Sequence, residues 1–214
     1  TNSSTLTPSD GTSATSLRQV ITTASVEQTG TEGTGLEFAI NLRSSGFIAA
    51  PQGRPARLSI YDAYAGVRAG GGRVRARSGS MWLTDLGGLG SVAGLMVEVG
   101  QTPSKSPVGW FHAGGFYGVE PSPFDVGFAP GVRKFGGYGV LEGPHGRRTS
   151  VGYVRLQNSG LVERAVVTFS NFVPVATRVF LYQTGEYDLV GPAGQGRGGL
   201  GYFFLNGRVG VTKH

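Results

Sequence analysis

The chain has 214 residues, no cysteine and 38 glycines, where average usage would put glycine at roughly 7%. A length near 200 fits one β-sandwich or barrel, or at most two small domains; 39% hydrophobic and 10% aromatic residues exclude wholesale disorder, and the glycines follow no G-x-y period, which excludes collagen. The lack of cysteine removes disulfides, thiolate nucleophiles and Cys-type metal sites, and the net charge of +6 comes from 19 basic and 13 acidic residues, 16 of the basic ones arginine.

Residues 1–16 hold ten Ser or Thr, Pro8 and the turn pair Asp10-Gly11, and read as an extended or mobile arm. No run approaches 18 apolar residues and the first residues lack a basic region followed by an apolar one, so neither a membrane span nor a signal peptide is expected. From Leu17 to Gln28 the β-branched run LRQVITTASVEQ puts Val20, Ala24 and Val26 on one face of a strand. In the next strand Leu36, Phe38, Ile40 and Leu42 alternate with Glu37, Ala39, Asn41 and Arg43, a half-buried pattern. PARLSIYDAYAG predicts a short helix, with Pro55 at its first position, Leu58, Tyr61 and Ala65 at i, i+3 and i+7, and Gly66 at its end.

Further strands are predicted at 67–77, 92–100, 150–158, 164–173 and 177–190, with one around 132–141 inside a Gly/Pro/aromatic stretch otherwise read as long ordered loops, 101–149. The tail opens with GPAGQGRGGLG and continues as a weak strand, YFFLNGRVGV. About eight strands, one short helix and long loops predict an antiparallel eight-stranded jelly-roll sandwich over 17–192, flanked by the arm 1–16 and a Gly-rich tail 193–214.

Catalytic constellations are not evident. His112, His145 and His214 are scattered, and there is no G-x-S-x-G, H-E-x-x-H or Walker pattern. Gly88-Leu-Gly90-Ser-Val-Ala-Gly94 imitates a dinucleotide fingerprint but leads into a strand, so it reads as a loop. Glu186 and Asp188 point the same way from one strand and form a weak candidate half of a calcium site or acid/base pair, against the plainer reading of a solvated or Arg-paired polar face. Asp62, Asp85 and Asp125 are single acids with no partner identifiable in sequence.

The arginines are more informative. Six basic residues and one acid lie between 54 and 77, and Arg73, Arg75 and Arg77, spaced by two, would project from one strand face about 6.6 Å apart. Together with Arg68, and with Arg147 and Arg148 as a second cluster, they are candidates for tracking a polyanion; the alternative is pairing with acids or exposure to water.

The order of these features resembles the shell domain of coat proteins of small icosahedral positive-strand RNA viruses, the tombusvirus, sobemovirus and nodavirus type of jelly roll. The resemblance lies in a polar arm leading to Leu17-Arg18, EFAINL beside the family's F-x-I-N-P strand, LSIYDAYAGVRAGGGRVRAR with Tyr61 and Tyr64 at a Y-x-x-Y spacing, and VFLYQTGEYDLVGPAGQ beside the closing strand. It implies a non-enzymatic virion protein, assembled in a host cytoplasm from identical subunits around viral RNA, without a membrane. Trp82, Trp110, Phe111, Phe116, Tyr117, Phe124 and Phe128 would be subunit-contact candidates. Nothing before Arg18 is basic, so the family's RNA-binding arm either lies upstream of Thr1 or gives way to inner-surface arginines such as Arg73, Arg75 and Arg77. VEVGQTPSKSP carries only Glu98 where paired aspartates bind calcium in the family, so no cofactor is expected. A carbohydrate-binding jelly-roll module using Trp82 or Trp110 is the alternative, and a hydrolase using Glu186 and Asp188 a third.

Overall fold

A computed structural model describes residues 2–6, 15–28, 35–49, 57–101, 109–122, 127–176, 178–190 and 197–210. Among the described residues twelve strands follow one another: β1 Asn2–Leu6, β2 Thr15–Gln28, β3 Gly35–Ala49, β4 Arg57–Ala69, β5 Val74–Trp82, β6 Ser91–Gly100, β7 Trp110–Pro121, β8 Phe128–Glu142, β9 Arg148–Asn158, β10 Leu161–Ala176, β11 Val179–Val190 and β12 Arg197–Val209. They form one sheet in which every strand pairs antiparallel with its neighbours in sequence. The fold is therefore all-β, as expected, but the topology is a meander without the crossover connections of a Greek key.

The helix expected at 55–66 is β4. A bulge explains the misleading spacing: Asn41 pairs with Asp62 and Leu42 with Ile60, so Tyr61 is skipped and the period-2 pattern slips by one residue. The stretch 101–149, read mainly as loops, contains β7 and β8, joined in register from Trp110↔Glu142 to Val119↔Arg133. The tail contributes β12, paired from Val179↔Val209 to Val190↔Arg197 along β11. β1 lies within the expected arm, while Phe124, Asp125 and His214 fall outside the described residues.

Register assigns each strand two faces. One row runs Glu37, Gly66, Arg77, Met96, Phe116, Gly136, Val154, Val166, Asp188 from β3 to β11. This inner face is buried: Met81, Val92, Met96, Phe116, Tyr138, Val140 and Val154 form a core with Leu83 and Leu86. Glycine makes room within it, because a Cβ on Gly114 would stand 2.5 Å from the Tyr138 ring. The outer face carries the alternate residues and is exposed, Leu36 at 71%, Leu95 at 60% and Tyr117 at 54%. The alternation read from the sequence is thus present with its sides reversed: in β3, Glu37 is 1% exposed and its apolar neighbours Leu36 and Ile40 face out.

Two connections between strands have distinct characters. The β4–β5 turn passes through Gly70, Gly71 and Gly72 at φ of 63°, 68° and 85°, a left-handed run that glycine accepts without strain. The β5–β6 connection contains a 3-10 segment, Thr84–Leu89 (η1), folded back against β8, β9 and β10.

Candidate functional site: a charged interior beneath an apolar exterior

The inner face gathers ionisable side chains that the sequence scatters. Glu37 of β3 accepts hydrogen bonds from Arg68 Nε of β4 and, at 2.6 Å, from Arg77 Nε of β5, and Arg75 Nε stands 3.4 Å away. Arg77 also lies 4.4 Å from the centre of the Tyr64 ring. Arg75 reaches Glu98 of β6 at 3.4 Å, and the Tyr138 hydroxyl donates to the same carboxylate at 2.7 Å. A buried carboxylate among three guanidinium groups is the arrangement in which desolvation of each charge is offset by its neighbours.

Beside it, His112 of β7 stacks on Trp110 with ring centres 5.1 Å apart, and its Nε2 stands 3.9 Å from both Asp85 Oδ2 and Glu98 Oε2. Arg148 of β9 binds Asp85 with one nitrogen and Glu142 with another. Burial raises the Asp85 carboxyl, but the neighbouring His112 imidazole and the hydrogen bond from Arg148 outweigh it and hold the group below the usual carboxylate range. Farther along, Lys134 is 1% exposed, donates to the Ser91 carbonyl at 2.8 Å and forms an ion pair with Glu120 at 2.7 Å. On β10, Arg164 binds Asp188 at 2.7 Å and Glu186 at 3.1 Å.

These contacts redraw the expected sites. Arg75 and Arg77 share a face, but Arg73 lies in the turn before β5, so the three do not form one strand stripe. Arg148 reaches Asp85 and Glu142 with its side chain still 43% exposed, and Arg147 stays in the turn ahead of β9. Glu186 and Asp188 do project together, and Arg164 occupies them. Among the described residues no group of three His, Cys, Asp or Glu is arranged to hold a metal ion. Asp62, read as partnerless, accepts the Trp82 backbone N–H at 2.9 Å.

Of the expected contact aromatics, Phe116 is core at 6% exposure, a correction that follows from its parity with His112 and Gly114. Trp82, Phe111, Tyr117 and Phe128 do lie exposed, and Trp110 is half-buried against His112. The sequence reading missed Glu37, Lys134 and Tyr138; the only signal was their parity within strands.

From β4 to β7 no described outer-face side chain is charged. The outward arginines of β8 and β9, Arg133 and Arg155, sit on neighbouring strands, Arg155 at 5.7 Å from the Phe135 ring centre. A groove of about 430 Å³ lined by Ile60, Ala63, Ala93, Leu95, Val119 and Phe128 opens on this surface. Comparison with protein-family models, with curated proteins and with solved structures finds no match.

Proposed function

We propose that the protein is a membrane-embedded β-sheet protein of the transmembrane-barrel kind, with its outer face against lipid hydrocarbon. The observation that carries this reading is the alternation of an exposed, largely uncharged apolar outer face with an inner face where charged side chains are buried beside the core. Water favours the opposite arrangement, whereas a bilayer favours this one, since lipid-facing and lumen-facing residues alternate along each spanning strand. Strands of 9 to 16 residues from β3 to β11 are long enough, because a tilted strand crosses the hydrocarbon with about 9–11 residues. A meander of twelve antiparallel strands also leaves β1 and β12 running in opposite directions, as closure into a barrel requires. The expectation of no membrane rested on the absence of a helix-length apolar run; no helix among the described residues is long and apolar enough to cross, and strands do not need such a run.

The test uses tryptophan at the outer face. With W82F and W110F removing both native tryptophans, L95W or V97W placed in vesicles of brominated acyl-chain lipid will be quenched; unquenched emission from both would overturn the reading.

A second reading covers the same outer face with protein: identical subunits of a shell enclosing RNA, as the coat-protein resemblance implies. Among the described residues β12 pairs with β11 alone and is exposed at every residue from Leu200 to Gly210, which supports it. Closed particles containing RNA in detergent-free buffer, seen by electron microscopy, would favour this reading over the first.

A further inference from the structure

We propose that η1 is a removable plug that blocks passage of small hydrated ions through the interior of the sheet, latched by the Asp85–Arg148 ion pair. The inference rests on the membrane reading and adds a transport role and its control.

The β5–β6 connection does not continue into solvent but turns inward to the inner faces of β8, β9 and β10. Its Leu86 is fully buried over Gly152, where a Cβ would stand 2.3 Å from Leu86 Cδ2 and 2.9 Å from Thr168 Oγ1. That Thr168 hydroxyl is buried without a hydrogen-bond partner, and such a group gains from any motion that admits water. Toward β10 and β11 the wall is polar: Ser150 and Ser170 pair across β9 and β10, Thr168 pairs with Glu186, and Arg164 stands beside Glu186 and Asp188, while Val140 and Val154 pack on the apolar side of Leu86. Lifting η1 therefore exposes a surface suited to hydrated ions of either sign.

The loop is built to move as a unit. Its neck is closed by the Leu83 N–H donating to the Gly90 carbonyl at 2.9 Å, and its turn contains Gly87 at φ 56° with Gly88 beside it. Asp85 is the sole charged residue of TDLGGL, and its hold on the far wall is Arg148, with His112 at 3.9 Å. Removing that charge leaves only apolar contact to seat the plug.

The cysteine-free chain permits a clean readout. T168C, buried beneath Leu86, is labelled by a membrane-impermeant maleimide only when η1 lifts. D85N, with R148Q and replacement of 84–89 by a short Gly-Ser linker as independent variants, will raise the T168C labelling rate about tenfold and the planar-bilayer conductance several-fold. Insertion with labelling and conductance unchanged in all three variants overturns the plug alone. Failure of the wild-type protein to insert overturns the membrane reading, and the conduction role with it, whatever the labelling rate.

Discussion

The side chain of Leu86 occupies the space that Gly152 leaves empty, a Cβ on Gly152 falling 2.3 Å from Leu86 Cδ2. A loop between β5 and β6 is thereby keyed to β9, well along the sheet. The obstructing atom is the far end of a side chain on a loop rather than sheet backbone, so G152V will displace η1 and leave the strands in place. A cost of about 1–3 kcal/mol is expected for this overpacking. L86A removes the key instead and costs about 2–5 kcal/mol. Urea unfolding in detergent micelles measures both, with strand content by circular dichroism unchanged before the transition.

Glu37 holds three arginines from two strands, and its loss leaves their charges facing one another in a buried setting. E37Q will destabilise the sheet by about 3–5 kcal/mol. In the double variant E37Q/R77Q part of that loss is recovered, because one uncompensated charge is removed; equal losses in single and double variants would show that the pair does not interact.

Leu95 lies in the uncharged outer band. L95R will cost about 2–4 kcal/mol in lipid vesicles if the residue sits near the bilayer midplane. In a water-facing sheet the same substitution at a 60% exposed site would be nearly neutral. Folded fraction in vesicles against urea distinguishes the two.

Asp85 supplies a pH dependence with a definite sign. Its carboxyl is raised by burial but lowered further by His112 and Arg148, with Glu98 and Glu142 standing beside the same two side chains. A folded value below the unfolded one, about 3.9, means that its stabilisation is complete above the unfolded value and is lost as pH falls through the folded one. As pH falls from about 5 to about 3, across the unfolded value, the wild-type melting temperature will drop more than that of D85N.

Strand positions were legible where alternation was uninterrupted. Val20 to Val26, Leu36 to Leu42 and Val179 to Leu189 fall on β2, β3 and β11 with the expected parity. In β4 the skipped Tyr61 turned a period of two into a spacing that imitates a helix. In β7 the glycines at 114, 115 and 118 diluted the pattern WFHAGGFYGVEP until it resembled a loop. Sidedness could not be read at all, because alternation is the same whether the apolar side meets a core or lipid; burial of Glu37 and Lys134 settles which side is inside. The site was visible only as separate residues. Glu186, Asp188, Arg75, Arg77 and Arg148 stand out individually, but their partners Arg164, Glu37 and Asp85 come from other strands or from η1, and register alone brings them together.

The sequential pairing of all twelve strands also bears on how the molecule is made. Each strand's neighbour in the sheet is its neighbour in the chain, so each pairing step closes only a short loop, and the entropy of closure stays small at every step. The sheet can grow from an existing edge one hairpin at a time, each strand templated by the one before it. The order of synthesis is then an order of assembly, each strand joining the edge that the preceding one presents.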